Sequence, residues 1–323
     1  MDLMNDDFNE TYLTFGGYVE LHRYKFLYFV IMFTLYVLIL CSNSTILCII
    51  WIQKSLHEPM YIFIAALLLN SILFSTNIYP KLLMDIVSDQ QIISRSLCTF
   101  QSFIYYSLGG SEFLLLAVMA YDRYVSICKP LQYATIMRQS TVNVLLVLSW
   151  LLPACQVASI AAVGTSIKLC SFTLNGFFCN NAIYKLFCMT PKTLSVYGMF
   201  VLFNTALLPM LFILFTYSKI FMIVYQSCRE VRNKAAQTCL PHVLVLISFS
   251  CLCSYDVIIA RLQIDLPKTA HFIMTLQIVM YHPLFNPIIY GLNMKEISKH
   301  LKRLFVKENS TNDIPCAVIS TVT

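Results

Sequence analysis

Charge is what this sequence has least of. Asp, Glu, Lys and Arg make up 12% of its 323 residues against 58% apolar, and the mean hydropathy is +0.71. A soluble globule of that length needs more polar surface to coat itself. Other absences narrow the function. The bases behind the net charge of +6 are scattered through loops and never cluster among aromatics, so they build no nucleic-acid groove. Neither internal repeats nor matched Gly/Pro-broken helix pairs are present, which leaves a multi-span transporter as the less favoured alternative. A channel's filter or charged ring is missing too. The six histidines are dispersed and the deep acids are Glu112 and Asp256, so no cluster suits a metal, a cofactor or an enzyme. The N-terminal region also lacks the basic n-region, short apolar core and small-residue cleavage site of a signal peptide. The first apolar span is therefore expected to act as its own insertion signal.

What the chain does have is long apolar blocks. Seven of them, residues 24–51, 60–83, 98–128, 142–163, 194–225, 238–259 and 271–292, reach the length of about 20 residues that crosses a bilayer as a helix. The expectation is an all-α membrane protein, a seven-transmembrane helix bundle over 24–292 preceded by a polar N-terminus, 1–23. Residues 293–306 set Ile297, Leu301, Leu304 and Phe305 at helical spacing against Lys295, Lys299, Lys302 and Arg303. That is the pattern of a short amphipathic cytosolic helix lying on anionic membrane lipid. The polar tail, 307–323, is expected to be disordered. Inside the spans, Asn43 must bond to a neighbouring helix, and Gly109-Gly110 permit close helix approach. The stretch 164–192 has no spanning pattern and forms a long structured loop.

Seven spans put the two ends on opposite sides. With the N-terminus outside, thirteen of the twenty-two bases fall on internal segments, a bias that favours this orientation. Asn9-Glu10-Thr11 is then a glycosylation acceptor on the outer side. Most of the thirteen cysteines lie in apolar runs, where a thiol is a small buried hydrophobe. Cys98, Cys170, Cys179 and Cys188 lie toward the outer, oxidising side, where disulfides form, and four cysteines allow three connectivities.

The third span ends in Met119-Ala120-Tyr121-Asp122-Arg123-Tyr124-Val125-Ser126-Ile127-Cys128. An acid and an arginine side by side at a membrane mouth are costly, so function is the default reading. In Asn286-Pro287-Ile288-Ile289-Tyr290 the proline removes a backbone hydrogen bond and weakens the helix locally, while the Asn can hold polar groups or water. These two stretches, together with Leu56-His57-Glu58-Pro59-Met60-Tyr61, Pro80-Lys81, Pro130-Leu131, Ser149-Trp150, Lys234-Ala235 with Thr238-Cys239, and Pro283-Leu284-Phe285, resemble vertebrate odorant receptors of the rhodopsin-like G-protein-coupled class. The order and spacing match over roughly residues 24–306, and the wording between motifs is similar to fish receptors.

The resemblance implies a small-molecule odorant as ligand, a heterotrimeric G protein of the olfactory stimulatory type as partner, and a plasma-membrane receptor of olfactory cilia. A related chemoreceptor working outside the olfactory epithelium is the nearest alternative. It implies that Asp122, Arg123 and Tyr124, with Tyr217, Asn286, Pro287 and Tyr290, carry activation and coupling. It selects Cys98 with Cys179 and Cys170 with Cys188. By position, the ligand cavity is lined by Tyr105, Tyr106, Gly109, Val201, Leu202, Thr205, Cys253, Ser254 and Val257. Arg261 at the outer end of span six either pairs with a carboxylate or sulfate on the ligand, or is a solvated loop charge or partner of Asp265. Two departures bear on the core. Ser71, beside Asn70, stands where the family has an aspartate, which puts a sodium site near Glu112 in doubt and leaves a protonated, hydrogen-bonded Glu112 as the other reading. Phe249-Ser250-Cys251 replaces the family's Phe-Tyr-Gly, exchanging a ring for a small hydroxyl.

Overall fold

The computed structural model describes residues 12–18, 21–189, 191–225, 239–240, 243–251, 253 and 267–309. Its helices are α1 (Leu21–Ile52), α2 (Pro59–Val87), α3 (Arg95–Cys128), α4 (Gln139–Thr165), α5 (Lys192–Tyr225), α6 (residues 243–251), α7 (Lys268–Asn293) and α8 (Lys295–Asn309). Six of these, α1 to α5 and α7, are long and apolar enough to cross a membrane. The span expected over 238–259 falls partly outside the described residues, as do Asn9 and the tail.

Local chemistry sets several boundaries. Pro59 occupies the first turn of α2, where a missing N–H costs nothing. The Ser94 hydroxyl caps α3 by accepting from the Leu97 amide at 3.3 Å. At 34 residues, α3 is about 51 Å long and overruns the hydrocarbon layer. A π-turn, Phe203–Leu207, interrupts α5, and the Thr205 hydroxyl there donates to the Val201 carbonyl at 2.8 Å. In α7, Pro287 has no N–H to give the carbonyl of Pro283. Asn43 of α1 supplies the missing donor, its amide reaching that carbonyl at 2.9 Å.

The bundle is apolar outside as well as inside. Phe26, Phe33, Val147, Leu151, Phe215 and Phe221 are all exposed, which suits lipid rather than water. Helix α3 is central, packing against α2, α4 and α5. Of the two mid-span glycines, Gly110 makes the close approach: a Cβ there would lie 2.9 Å from Pro153 Cβ of α4 and 3.2 Å from Thr205 Cβ of α5. One at Gly109 would meet nothing within 4 Å.

At the outer end a small sheet joins distant segments, an addition to the all-helical plan. Strand β1 (Tyr12–Phe15) is central, antiparallel to β2 (Ile92–Ser94) and parallel to β3 (Thr173–Leu174). Below it Lys81 and Asp85 form an ion pair, and the Lys81 ammonium also donates to the Ile92 carbonyl and sits over the Phe15 ring. Burial first, and the Asp85 charge second, push the Tyr18 hydroxyl well above the usual phenol range. Disulfides join Cys98 to Cys179 and Cys170 to Cys188.

Candidate functional site

The outer half of the bundle is walled by aromatic rings. Tyr105 of α3 is buried against Tyr106, Phe178 and Phe74, with centroids 4.9, 5.1 and 5.2 Å away. The Tyr106 hydroxyl accepts from the Asn181 amide at 2.7 Å, tying the ring to the loop. Gly109 lies one turn inward of Tyr105 and leaves open space beside α3. From α5, Val201 and Thr205 are buried and Leu202 is half-buried. The loop between α4 and α5 reaches in: Phe177 and Phe178 are buried, and Phe177 packs edge-on to Phe272 of α7 at 5.4 Å. Gln101 fixes that loop beside the Cys98–Cys179 disulfide by accepting from the Cys179 amide at 2.9 Å. Cys253 packs against the cluster formed by the inner halves of the helices, while Ser254, Val257 and Arg261 lie outside the described residues. A groove of about 350 Å³ between α3, α4 and α5, lined by Leu114, Val118, Leu148, Leu152 and Phe212, includes none of these residues.

Inward of Gly109 lies a polar core in which Asn70, Ser71, Glu112 and Asn286 are fully buried. Glu112 Oε2 accepts from Asn70 Nδ2 at 2.9 Å and Oε1 from Asn286 Nδ2 at 3.0 Å. The second hydrogens of those amides go to the Leu108 carbonyl and the Ser71 hydroxyl. Trp150 of α4 donates its indole N–H to Asn70 Oδ1 at 3.2 Å. His282 Nε2 stands 3.2 Å from Glu112 Oε2, without the alignment of a full hydrogen bond. Phe249 of α6 lies over the His282 ring at 4.4 Å and beside Phe113 at 4.7 Å. Buried polar groups of four helices thus converge on a single carboxyl.

At the inner end Arg123 is paired with Asp122 at 3.2 Å, and the carboxylate is fully buried. Tyr133, on the loop after α3, donates to the other oxygen of Asp122 at 2.8 Å. Burial, and after it the Asp122 charge, raises the titration of that phenol far beyond the physiological range. The Arg123 Nε and the Tyr217 hydroxyl make no hydrogen bond among the described residues. Tyr290 is fully buried beneath the Glu112 core, and Tyr124 packs with Tyr217 against Ile220 and Val224 of α5. Among the described residues the guanidinium is paired with Asp122.

A profile of the olfactory receptor family matches residues 32–308. The chain belongs to the olfactory receptor family. Human olfactory receptor 10AG1 is 34% identical over 307 residues, covering 90% of this chain and 97% of that one. Human olfactory receptor 2T27 is 31% identical, covering 87% and 89%. The crystal structure of squid rhodopsin superposes with a TM-score of 0.70 at 18% identity, over 92% of this chain and 89% of that chain. The fold is accordingly the seven-transmembrane bundle of rhodopsin, and this olfactory receptor is a multi-pass membrane receptor, not an enzyme.

Three residues that matter in this olfactory receptor were not singled out from its sequence. His282 was one dispersed histidine among six, although it is one turn from Asn286 and so shares its face. Tyr133 opens a single helical turn, Tyr133–Ile136, between α3 and α4, where nothing in the local pattern marks a partner of Asp122. Gln101 is an uncharged residue in an apolar run, and only the disulfide next to it reveals its use.

Proposed function

We propose that this olfactory receptor binds a small, mostly apolar odorant in the outer half of the bundle and answers it by activating the olfactory stimulatory G protein, raising cyclic AMP. The observation that carries the reading is the open space at Gly109, one turn along α3 from Tyr105 and Tyr106 on one side and from Glu112 on the other. A mostly apolar pocket with few polar groups is how small-molecule sites are built. An agonist that binds the open-inside state better than the closed one raises its share, and only that difference in affinity does work. Opening frees Arg123 from Asp122 to turn toward Tyr217, Tyr290 and the G protein. The side of the membrane follows from chemistry: β1 pairs with β3, which lies inside the loop closed by the Cys170–Cys188 disulfide, and disulfides belong to the oxidising face. That supports an extracellular N-terminus.

The test is cyclic AMP in cells expressing the receptor, against a panel of acids, alcohols, amines and steroids. An agonist should appear whose response is lost in Gly109→Phe, which fills the space, and in Arg123→Ala, which leaves the pocket intact. A response that survives Gly109→Phe at full potency places the ligand elsewhere. If the active compound is an acid, Arg261→Ala distinguishes an anion contact there, lowering the acid's potency and sparing a neutral agonist. Transcript in olfactory neurons separates an odorant receptor from a relative serving another tissue.

A further inference from the structure

We propose that Glu112 and His282 together form a proton-binding site, and that one bound proton fills the role that a metal cation would have beside paired carboxylates. The case begins with charge. Glu112 is fully buried, and among the described residues no lysine or arginine reaches it. The α2 residues beside it are Asn70, which donates to it directly, and Ser71, which offers a hydroxyl through Asn286, and neither brings a second negative charge. A lone ionised carboxylate here leaves a net charge of −1 in the low-dielectric centre of the bundle, a state that buried groups avoid by taking up a proton or a counter-charge.

His282 supplies the means. Its Nε2 is 3.2 Å from Glu112 Oε2, and the two side chains are 2% and 0% exposed. Two neutral arrangements exist: a carboxylic acid beside an imidazole, or a carboxylate beside an imidazolium. They differ only in which side of the 3.2 Å contact holds the hydrogen, and both contain one proton more than carboxylate plus imidazole. The surroundings admit either. Both carboxylate oxygens receive an amide N–H, from Asn70 and Asn286, and the imidazole has the Phe249 ring at 4.4 Å and the Phe74 ring at 5.4 Å. Aromatic faces favour a cation. The other titratable group directed at Glu112 is Tyr290 of α7, a neutral phenol that adds no charge. Helices α2 and α4 present Asn70, Ser71 and Trp150, and the described part of α6 presents Phe249.

The proton links α3 to α7. Glu112 stands on α3, while His282 and Asn286 are successive contacts of α7 on either side of Pro283, whose carbonyl is held by Asn43. Removing the proton puts net charge into the joint that the activation step rearranges.

The test uses purified full-length receptor in lipid micelles without agonist, so it does not depend on any odorant. The folded-to-unfolded ratio is followed under graded denaturing detergent as a function of pH, with sodium exchanged for choline at constant ionic strength. Above about pH 6.5 the free imidazole and free carboxyl together hold no proton. The folded pair holds one, so the ratio should fall tenfold per pH unit as pH rises from there, and level off where the folded pair gives up its proton. Glu112→Gln should remove that component, and sodium should leave the wild-type ratio unchanged. Where Glu112→Gln is too poorly displayed to purify, His282→Asn, which leaves Glu112 to hold the proton without its partner, should end the slope at a lower pH than in wild type. An identical slope in wild type and variant overturns the proposal. So does a sodium-dependent rise in stability that Glu112→Gln abolishes, which marks a cation site.

Discussion

Two adjacent glycines of α3 should respond in opposite ways to the same substitution. In Gly110→Ala the new methyl would stand 2.9 Å from Pro153 Cβ, 3.4 Å from Pro153 Cγ and 3.2 Å from Thr205 Cβ. Apolar carbons rest at about 3.5–4.0 Å, so the methyl is about 0.6–1.1 Å too close to a proline ring that has no rotamer to escape into. Overpacking of this kind costs about 1–3 kcal/mol. In Gly109→Ala the methyl enters space with no atom within 4 Å. The gain in helix propensity from Gly to Ala, about 1 kcal/mol, is common to both. It cancels in the comparison, leaving Gly110→Ala less stable by the overpacking alone, or roughly 5–150-fold in the folded-to-unfolded ratio. Detergent-induced unfolding of the two purified variants, with surface display in cells as a second readout, gives the difference directly. Pro153→Gly, which removes that Cβ, should recover part of the loss in a double-mutant cycle, because the two sites share one contact. Equal stability of the two single variants, or a Gly110→Ala receptor that Pro153→Gly fails to help, would refute the packing argument.

Other outcomes follow from the same coordinates. Cys98→Ser or Cys179→Ser should abolish folding and surface display, and normal surface levels with a full ligand response would contradict this. Asn43→Ala removes the donor that replaces the Pro287 N–H, leaving the Pro283 carbonyl unsatisfied at a cost of about 1–3 kcal/mol, measurable as a lowered unfolding midpoint. An unchanged midpoint would mean that water or relaxation satisfies that carbonyl. Tyr133→Phe deletes a hydrogen bond to buried Asp122 worth about 1.5–3 kcal/mol in the closed state, so agonist-free cyclic AMP per surface receptor should rise several-fold. Basal signal equal to wild type would remove the loop from the latch.

The bundle was legible because apolar length is a strong signal, and the helices carry it residue by residue. The pairing of Asp122 with Arg123 was legible because the two are adjacent. What escaped depends on distances between helices. Nothing local tells that His282 meets Glu112, since the two are 170 positions apart in sequence and the contact exists only when α3 and α7 pack. The two glycines look alike as letters, yet Pro153 and Thr205 crowd one and leave the other open. The sheet escaped because its strands span four, three and two residues, too short for alternation to register.

That sheet sets a timetable. Strand β1 can zip to β2 once α1 and α2 are in place, but its other edge waits for β3, and Thr14 meets Thr173 across 159 residues. At about 5–20 residues per second of synthesis, the interval is roughly 8–30 s. During that time β1 presents an unpaired backbone edge that can take up a wrong strand. The stretch between Tyr12 and Phe15 is therefore where slow elongation and a bound chaperone would alter the yield of receptor without changing its finished form.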